Sequence, residues 1–523
     1  MADISRRDFG KSFASGIGLV MLGSNGVFSF SSESHASAQT RPNFVFICSD
    51  QHNPHHTGYM GHPIVRTQNL DKIAGEGVVF TDCYCSSPIC APSRAGMMTG
   101  MYPSDNRSYC NATVWDGTFP TWPKRLEDAG YHCWAAGKLD LNDSFDMGFA
   151  EEIETTNLHR HTPSVAPLFR RPLCYEERFR DSIDGKARAT PHSDQEIADH
   201  AVRFLRKEAP KLNQPWLMYV GFNLPHPPFT AMEKYFELYS GGEIDMPAAE
   251  ALKLEKQPLV IQELRHFNRL ATLVPNRRIS RARAAYYGRV TELDTYIGRI
   301  WKELEKTGLL SNTIFLYTSD HGESLGDHGL WGKGHLYDVA ARVPLVVAGR
   351  GIPKGVRVKA PVGHVDLAPT LLKWAGTARP TELRGHSLIP LMKGKQGDHP
   401  GFAYCECHCE GNCTGSFMVQ KGGWKYVHFS YYGDFLWRLE DDPYPSEIRN
   451  RIDDPEAQDV RAELQGILRG LVDPEEITIR AFKAQEAKLQ EYAQMEEAAL
   501  LEVFRKPLGE GQARVLVNKI KGR

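Results

Sequence analysis

Two stretches do most to limit what this chain can fold into: "PNFVFICSD" (Pro42 to Asp50) and "TIFLYTSDHGES" (Thr313 to Ser324). Each opens with an unbroken apolar run of strand length that stops at an acid. Runs that are apolar at nearly every position, rather than at alternate ones, read as strands covered on both faces. "WLMYVGFNLPHPPF" (Trp216 to Phe229) has the same design and delivers His226, and "VPLVVAG" (Val343 to Gly349) reads as a further strand. Between them lie segments of helical period, such as "ARAAYYGRVTELDTYIGRIWKELEKTG" (Ala282 to Gly308). Strands alternating with helices predict an α/β domain built on a mostly parallel sheet. Open sheets of that kind place their sites at the carboxyl ends of the strands, where these acids fall.

The texture changes after about Ile389. "SFMVQKGGWKYVHFSYYGDFLWRLEDDP" has short aromatic runs separated by Gly-Gly and Gly-Asp turns, and it predicts a small antiparallel sheet. "EAKLQEYAQMEEAALLEVFRK" then predicts one long amphipathic helix, packed on that sheet or on a second copy of the chain. The expected division is 41–390 for the α/β domain and 391–523 for a smaller α+β part. At the other end, "SRRDFGKSFASGIGLVMLG" followed by "ASA" predicts a twin-arginine export signal over residues 1–38. The expected destination is the periplasm or the exterior, with no membrane attachment after processing. A formal net charge of −2 argues against a general nucleic-acid binder and leaves room for a local basic pocket. Eleven cysteines are present, four of them in "CECHCEGNC" (Cys405, Cys407, Cys409, Cys413). That spacing is open to a disulfide, a metal site or plain thiols.

"SSPICAPSRAGMMTG" (Ser86 to Gly100) carries the chemistry: Cys90, Pro92, Ser93, Arg94, Thr99 and Gly100 spell C-x-P-S-R-x-x-x-x-T-G. On these residues the chain resembles the type I sulfatases, which implies an alkaline-phosphatase-like fold. It also implies that Cys90 is a precursor, oxidised to formylglycine by a maturation enzyme that reads the Cys-x-Pro-x-Arg segment. The hydrated aldehyde offers two hydroxyls on one carbon. One attacks sulfur, and the other collapses the intermediate and expels sulfate. Arg94 is expected to hold the hydrate and the developing charge.

The same resemblance implies a metal held by Asp50, Gln51, Asp320 and His321. Hard oxygen ligands suit Ca²⁺, while one imidazole and few carboxylates open the choice to Mn²⁺ or Zn²⁺. Lys138 in "AAGKLDL" and Lys333 in "GLWGKGH" match the two lysines that clamp sulfate oxygens, and His226 in "NLPHPPF" matches the histidine that meets the ester oxygen. Asn111 in "CNATVWDG" matches a substrate contact of the choline sulfatase and phosphonate hydrolase branches. Asp140 stands where most sulfatases have a histidine. The Gly-Lys-Leu-Asp pattern, with Glu406, His408 and "WKYV", is similar to arylsulfatase K, a glucuronate 2-O-sulfatase. His335 is read as lining the pocket or supporting it. His408, in a turn-rich loop beside Glu406, is read as a cation facing the substrate. The implied substrate is a sulfated small molecule or glycan, and a uronate 2-sulfate is favoured. A choline or aryl sulfatase, a phosphonate or phosphate-diester hydrolase, and a glycan-binding protein on an inactive scaffold are the alternatives.

Overall fold

The computed structural model describes residues 41–156, 183–268, 270, 272–409, 411–440, 444 and 447–522. The export signal expected over residues 1–38 lies outside them. Eight strands form the main sheet: β1 (Asn43–Asp50), β2 (Gly77–Phe80), β3 (His132–Lys138), β4 (Glu151–Thr156), β5 (Trp216–Pro225), β6 (Thr313–Ser319), β7 (Leu345–Gly349) and β8 (Val356–Val358). Their order across the sheet is β8-β2-β7-β6-β1-β5-β3-β4. β1 lies at the centre, parallel to both β5 and β6. β7 alone runs antiparallel to its neighbours β2 and β6.

The unbroken apolar runs follow from this position. Along β1, Phe44, Phe46 and Cys48 enter one core, while Val45 and Ile47 enter a second core on the opposite face. The 32-residue helix α2 (Asn276–Thr307) covers the second face through Leu293, Ile297, Ile300, Trp301 and Leu304. The shorter α1 (Cys90–Thr99) lies wholly buried on the first.

β3 and β5 converge at a pair of facing glycines, Gly137 and Gly221. A Cβ on Gly137, whose φ is +82°, would meet the Gly221 carbonyl at 2.1 Å, and one on Gly221 would meet the Lys138 carbonyl at 1.9 Å. Backbone cannot yield as a flexible side chain does, so this approach requires glycine on both strands. Gly221→Ala is expected to cost about 2–3 kcal/mol in a denaturant melt. Gly241→Ala, at a position with nothing within 4 Å, should leave the midpoint near wild type.

Residues after 390 form a four-stranded antiparallel sheet: β9 (Ala403–Cys407), β10 (Ser416–Lys421), β11 (Trp424–Phe429) and β12 (Gly433–Arg438). α3 (Gln458–Leu471) packs Leu464 and Leu468 onto Phe417, Val419, Tyr426 and Leu436. The single long helix expected next is instead two, α4 (Pro474–Gln494) and α5 (Glu497–Ile520). The chain turns extended at Met495 and Glu496, which brings Phe504 of α5 against Tyr492 of α4 at 6.3 Å between ring centroids. Lys521 closes the bend by donating to the carbonyls of Ala493 and Met495 at the open end of α4.

One internal ion cluster ties the second sheet to the helical turn that precedes β7. Lys425 of β11, with no exposed surface, donates to Asp338 at 2.7 Å and to Glu447 at 2.5 Å. Both oxygens of Glu447 also accept the Asp338 backbone N–H. The described residues from Arg41 onward belong to one compact unit. Among the described residues no helix is long and apolar enough to cross a membrane.

Candidate active site

Asp50 ends β1, Asp320 and His321 follow β6, Lys138 ends β3 and His226 follows β5. Three parallel neighbours and the next strand over thus deliver their polar ends to one place. Cys90 starts α1 there, and the Asn111 side-chain oxygen fixes that start by accepting the Ala91 N–H at 3.0 Å. Arg94, one turn on, is fully buried.

The floor is made of Asp50, Asp320, His321 and Arg94, all at zero exposure. Ligand atoms of Asp50, Cys90, Asp320 and His321 all lie within 4.8 Å of one another. His321 Nδ1 faces the Gly322 carbonyl at 3.0 Å and takes the proton, so Nε2 presents a lone pair. That lone pair points among Asp50 Oδ1 at 3.6 Å, Asp320 Oδ1 at 3.5 Å and Cys90 Sγ at 3.3 Å. Asp50 Oδ1 is buried without a hydrogen-bond partner. Two carboxylates, one of them with an orphaned oxygen, and a fixed imidazole converging on one point fit a divalent cation. Gln51 adjoins them in the left-handed region, at φ +70°. Its amide oxygen accepts Lys333 Nζ at 2.8 Å, and its amide nitrogen donates to Glu323.

Two cations and a largely buried imidazole form the rim. Lys333 Nζ stands 3.0 Å from Cys90 Sγ. Lys138 Nζ bonds Asp50 and lies 2.9 Å from Asp140. His226 Nδ1 faces the Pro227 carbonyl at 2.7 Å, so the ring proton sits on Nδ1 and Nε2 keeps a lone pair. Burial pushes the His226 ring well below its ordinary value, against the pull of Asp50. Burial alone would raise the Asp50 carboxyl, but Lys138 foremost and Lys333 with it hold it well below the carboxylate range. Burial and then the Asp50 charge push the Cys90 thiol up to about 12, so in this state it carries its proton.

The structure brings together Asp50, Gln51, Cys90, Arg94, Lys138, Asp140, Asp320, His321 and Lys333, with Asn111 beside them and His226 in their electrostatic reach. Of the candidates, His408 stands in surroundings other than those expected, while Arg94 and His335 are each held by buried hydrogen bonds. Within the floor Arg94 sets Nε on Asp320 at 2.9 Å and Nη1 on the Lys138 carbonyl at 2.9 Å, so it aligns both strand ends, and its Nη2 is buried without a hydrogen-bond partner 3.9 Å from Asp50. His335 bonds Ser324 at 2.8 Å and packs on Tyr337, apart from the cluster. His408 is not in a ligand-facing loop. It is 1% exposed, lies between Tyr109 and Phe417, and faces Glu406 at 3.2 Å. Glu406 itself sits inside β9 and accepts the Ser104 N–H and the Tyr404 hydroxyl. These polar groups are buried because each has a partner.

Sequence reasoning passed over Glu323, Asp194 and Arg289. Glu323 anchors the Gln51 amide and accepts the Leu325 and Gly332 N–H groups. Its signal was an acid three places after Asp320. Asp194 accepts the Leu224 N–H, and Arg289 donates to the His226 carbonyl, together setting the His226 turn. Neither carries a local signal, since both reach the turn from distant helices.

Against known proteins, the sulfatase family model matches residues 42–377, and a model described as N-sulphoglucosamine sulphohydrolase, C-terminal, matches 326–473. A choline-sulfatase of Rhizobium meliloti (strain 1021) is 30% identical over 437 residues, covering 79% of this chain and 83% of that protein. The arylsulfatase K of Homo sapiens is 31% identical over 446 residues, 80% of each chain. Among solved structures, BT4656 in complex with its substrate D-glucosamine-2-N,6-O-disulfate superposes with a TM-score of 0.70 at 23% identity, over 83% of this chain and 99% of that one. The phosphonate monoester hydrolase of Agrobacterium radiobacter does so at 0.67 and 26%, over 82% and 96%. The chain belongs to the sulfatase family, a family of sulfuric ester hydrolases.

Proposed function

We propose that this sulfatase works through a formylglycine derived from Cys90 with a divalent cation at Asp50, Asp320, His321 and Gln51, and that it hydrolyses a sulfated carbohydrate, a uronate 2-O-sulfate first among them. The observation that carries the reading is the convergence of Cys90, both lysines and the cation-fitting floor on one point. The cation, when bound, supplies positive charge that favours the ionised nucleophile. Lys138 and Lys333 stand 3.9 Å and 3.0 Å from the Cys90 sulfur, within reach to hold sulfate oxygens and to stabilise the charge that builds on them. His226, whose ring proton sits on Nδ1, can protonate a leaving alcohol only through Nε2 and only once that nitrogen has itself taken a proton. Asp140 keeps Lys138 charged and aimed. Support for the carbohydrate is the Gly-Lys-Leu-Asp segment shared with arylsulfatase K. Export through the twin-arginine route belongs to the same reading.

Mature protein should show a peptide mass loss of about 18 Da at Cys90, the exchange of CH₂SH for an aldehyde. Elemental analysis reads the cation. A panel of uronate 2-sulfate, choline sulfate, p-nitrophenyl sulfate and a phosphonate monoester should give the highest kcat/KM on the uronate. Full activity from a protein whose Cys90 is an unmodified thiol would end the formylglycine reading. Preference for choline sulfate would move the substrate to a quaternary ammonium ester.

A further inference from the structure

We propose that Cys407 and Cys409 form a second oxidative modification site, which a peroxide-class oxidant closes into a disulfide that disturbs the loop carrying Lys333. The two sulfurs lie 3.2 Å apart at the end of β9, inside van der Waals separation. The ten cysteines among the described residues are all thiols.

The pair is built into the support of the catalytic loop. Asn412 donates to Cys407 Sγ at 3.6 Å, to the Cys409 carbonyl at 2.8 Å and to the Gly334 carbonyl at 2.7 Å. Cys409 Sγ packs on the open face of Gly334, 3.8 Å from where a Cβ would stand. The Gly334 N–H in turn donates to Pro88, two residues before Cys90. One residue back, Lys333 places Nζ on Cys90 and Gln51. Whatever draws the two sulfurs together therefore pulls on the contacts that seat Lys333.

The chemistry balances with one molecule of hydrogen peroxide. One thiol takes an oxygen atom, becomes a sulfenic acid and releases water. The other sulfur attacks it, the S–S bond forms and a second water leaves, so two thiols have lost two hydrogens and two electrons to the peroxide. The ring encloses only His408. A loop that short removes little chain entropy, so the effect falls on local geometry rather than on global stability.

The test uses mature full-length enzyme titrated with hydrogen peroxide, alkylated, and read by peptide mass and by sulfate release. The peptide holding both cysteines should lose about 2 Da and resist alkylation, and kcat/KM should fall about tenfold and recover with dithiothreitol. Cys407→Ser and Cys409→Ser should each retain activity under the same treatment, and Cys413→Ser should behave as wild type. Alkylation of both thiols after treatment, a disulfide without loss of rate, or loss that persists in both variants would each overturn the proposal. If the serine variants do not fold, the peptide mass and the reversibility in the unaltered chain still decide it. Because the peptide mass involves no substrate, its failure is separable from failure of the uronate assignment.

Discussion

Cys90→Ala is expected to lower kcat/KM on any sulfate ester by about 10⁴-fold or more. The loss is that large because the cluster holds no substitute nucleophile. The neighbouring hydroxyl, that of Ser93, is spent on the Asp320 carbonyl. Against burial, Asp140 and then Asp50 hold Lys138 as a cation, and Lys333 is spent on the Gln51 amide oxygen, so neither offers a free amine. Removing one small buried side chain at a helix start should cost only about 1 kcal/mol, so the variant can be assayed as folded protein. A variant that keeps a tenth of the wild-type rate would show that residue 90 does not carry the reaction.

Asp320→Asn is expected to strip the cation, lower kcat/KM by about 10³-fold or more, and also cost about 3 kcal/mol of stability. The stability term follows from the donors around the carboxylate. Oδ1 accepts the backbone N–H of Gln51 at 3.0 Å and of His321 at 2.9 Å, and Oδ2 accepts Arg94 Nε at 2.9 Å. Every one of these neighbours is a donor. An amide brings one acceptor and one NH₂, so its NH₂ must face a donor, and a fully buried guanidinium loses its nearest counter-charge. Elemental analysis, initial rates and a denaturant melt read the three effects separately. Wild-type metal content together with a wild-type melt would remove Asp320 from the floor.

The parts of this arrangement legible in the sequence are those whose signal is local. A strand covered on both faces must be apolar throughout, so the runs before Asp50 and Asp320 announce both strand and strand end. The Cys90 segment is legible because several residue types at fixed spacing are needed for one reaction. The sheet order is another matter. The insertion of antiparallel β7 between β2 and β6 depends on partners far apart in the chain, and nothing within "VPLVVAG" specifies direction. Polar residues mislead when their partners are distant. Glu406 and His408 look like loop residues beside small and polar neighbours, yet Ser104, Tyr404 and each other satisfy them in the interior. The bend at Met495 has neither proline nor glycine to mark it, and its cause is the contact it permits between Tyr492 and Phe504.

The cluster of Lys425, Asp338 and Glu447 bears on how such an enzyme can be re-engineered. Cutting the chain near residue 390 and attaching the C-terminal part of a relative looks like a simple exchange of modules, but the seam runs through a shared charge. A donor segment brings its own counterparts of Lys425 and Glu447, and these must meet an acid at position 338 of the recipient. A mismatched chimaera would bury an ammonium or a carboxylate alone, and a lone buried charge is costly to keep. Successful exchanges in this scaffold should therefore be those that move position 338 together with the second sheet.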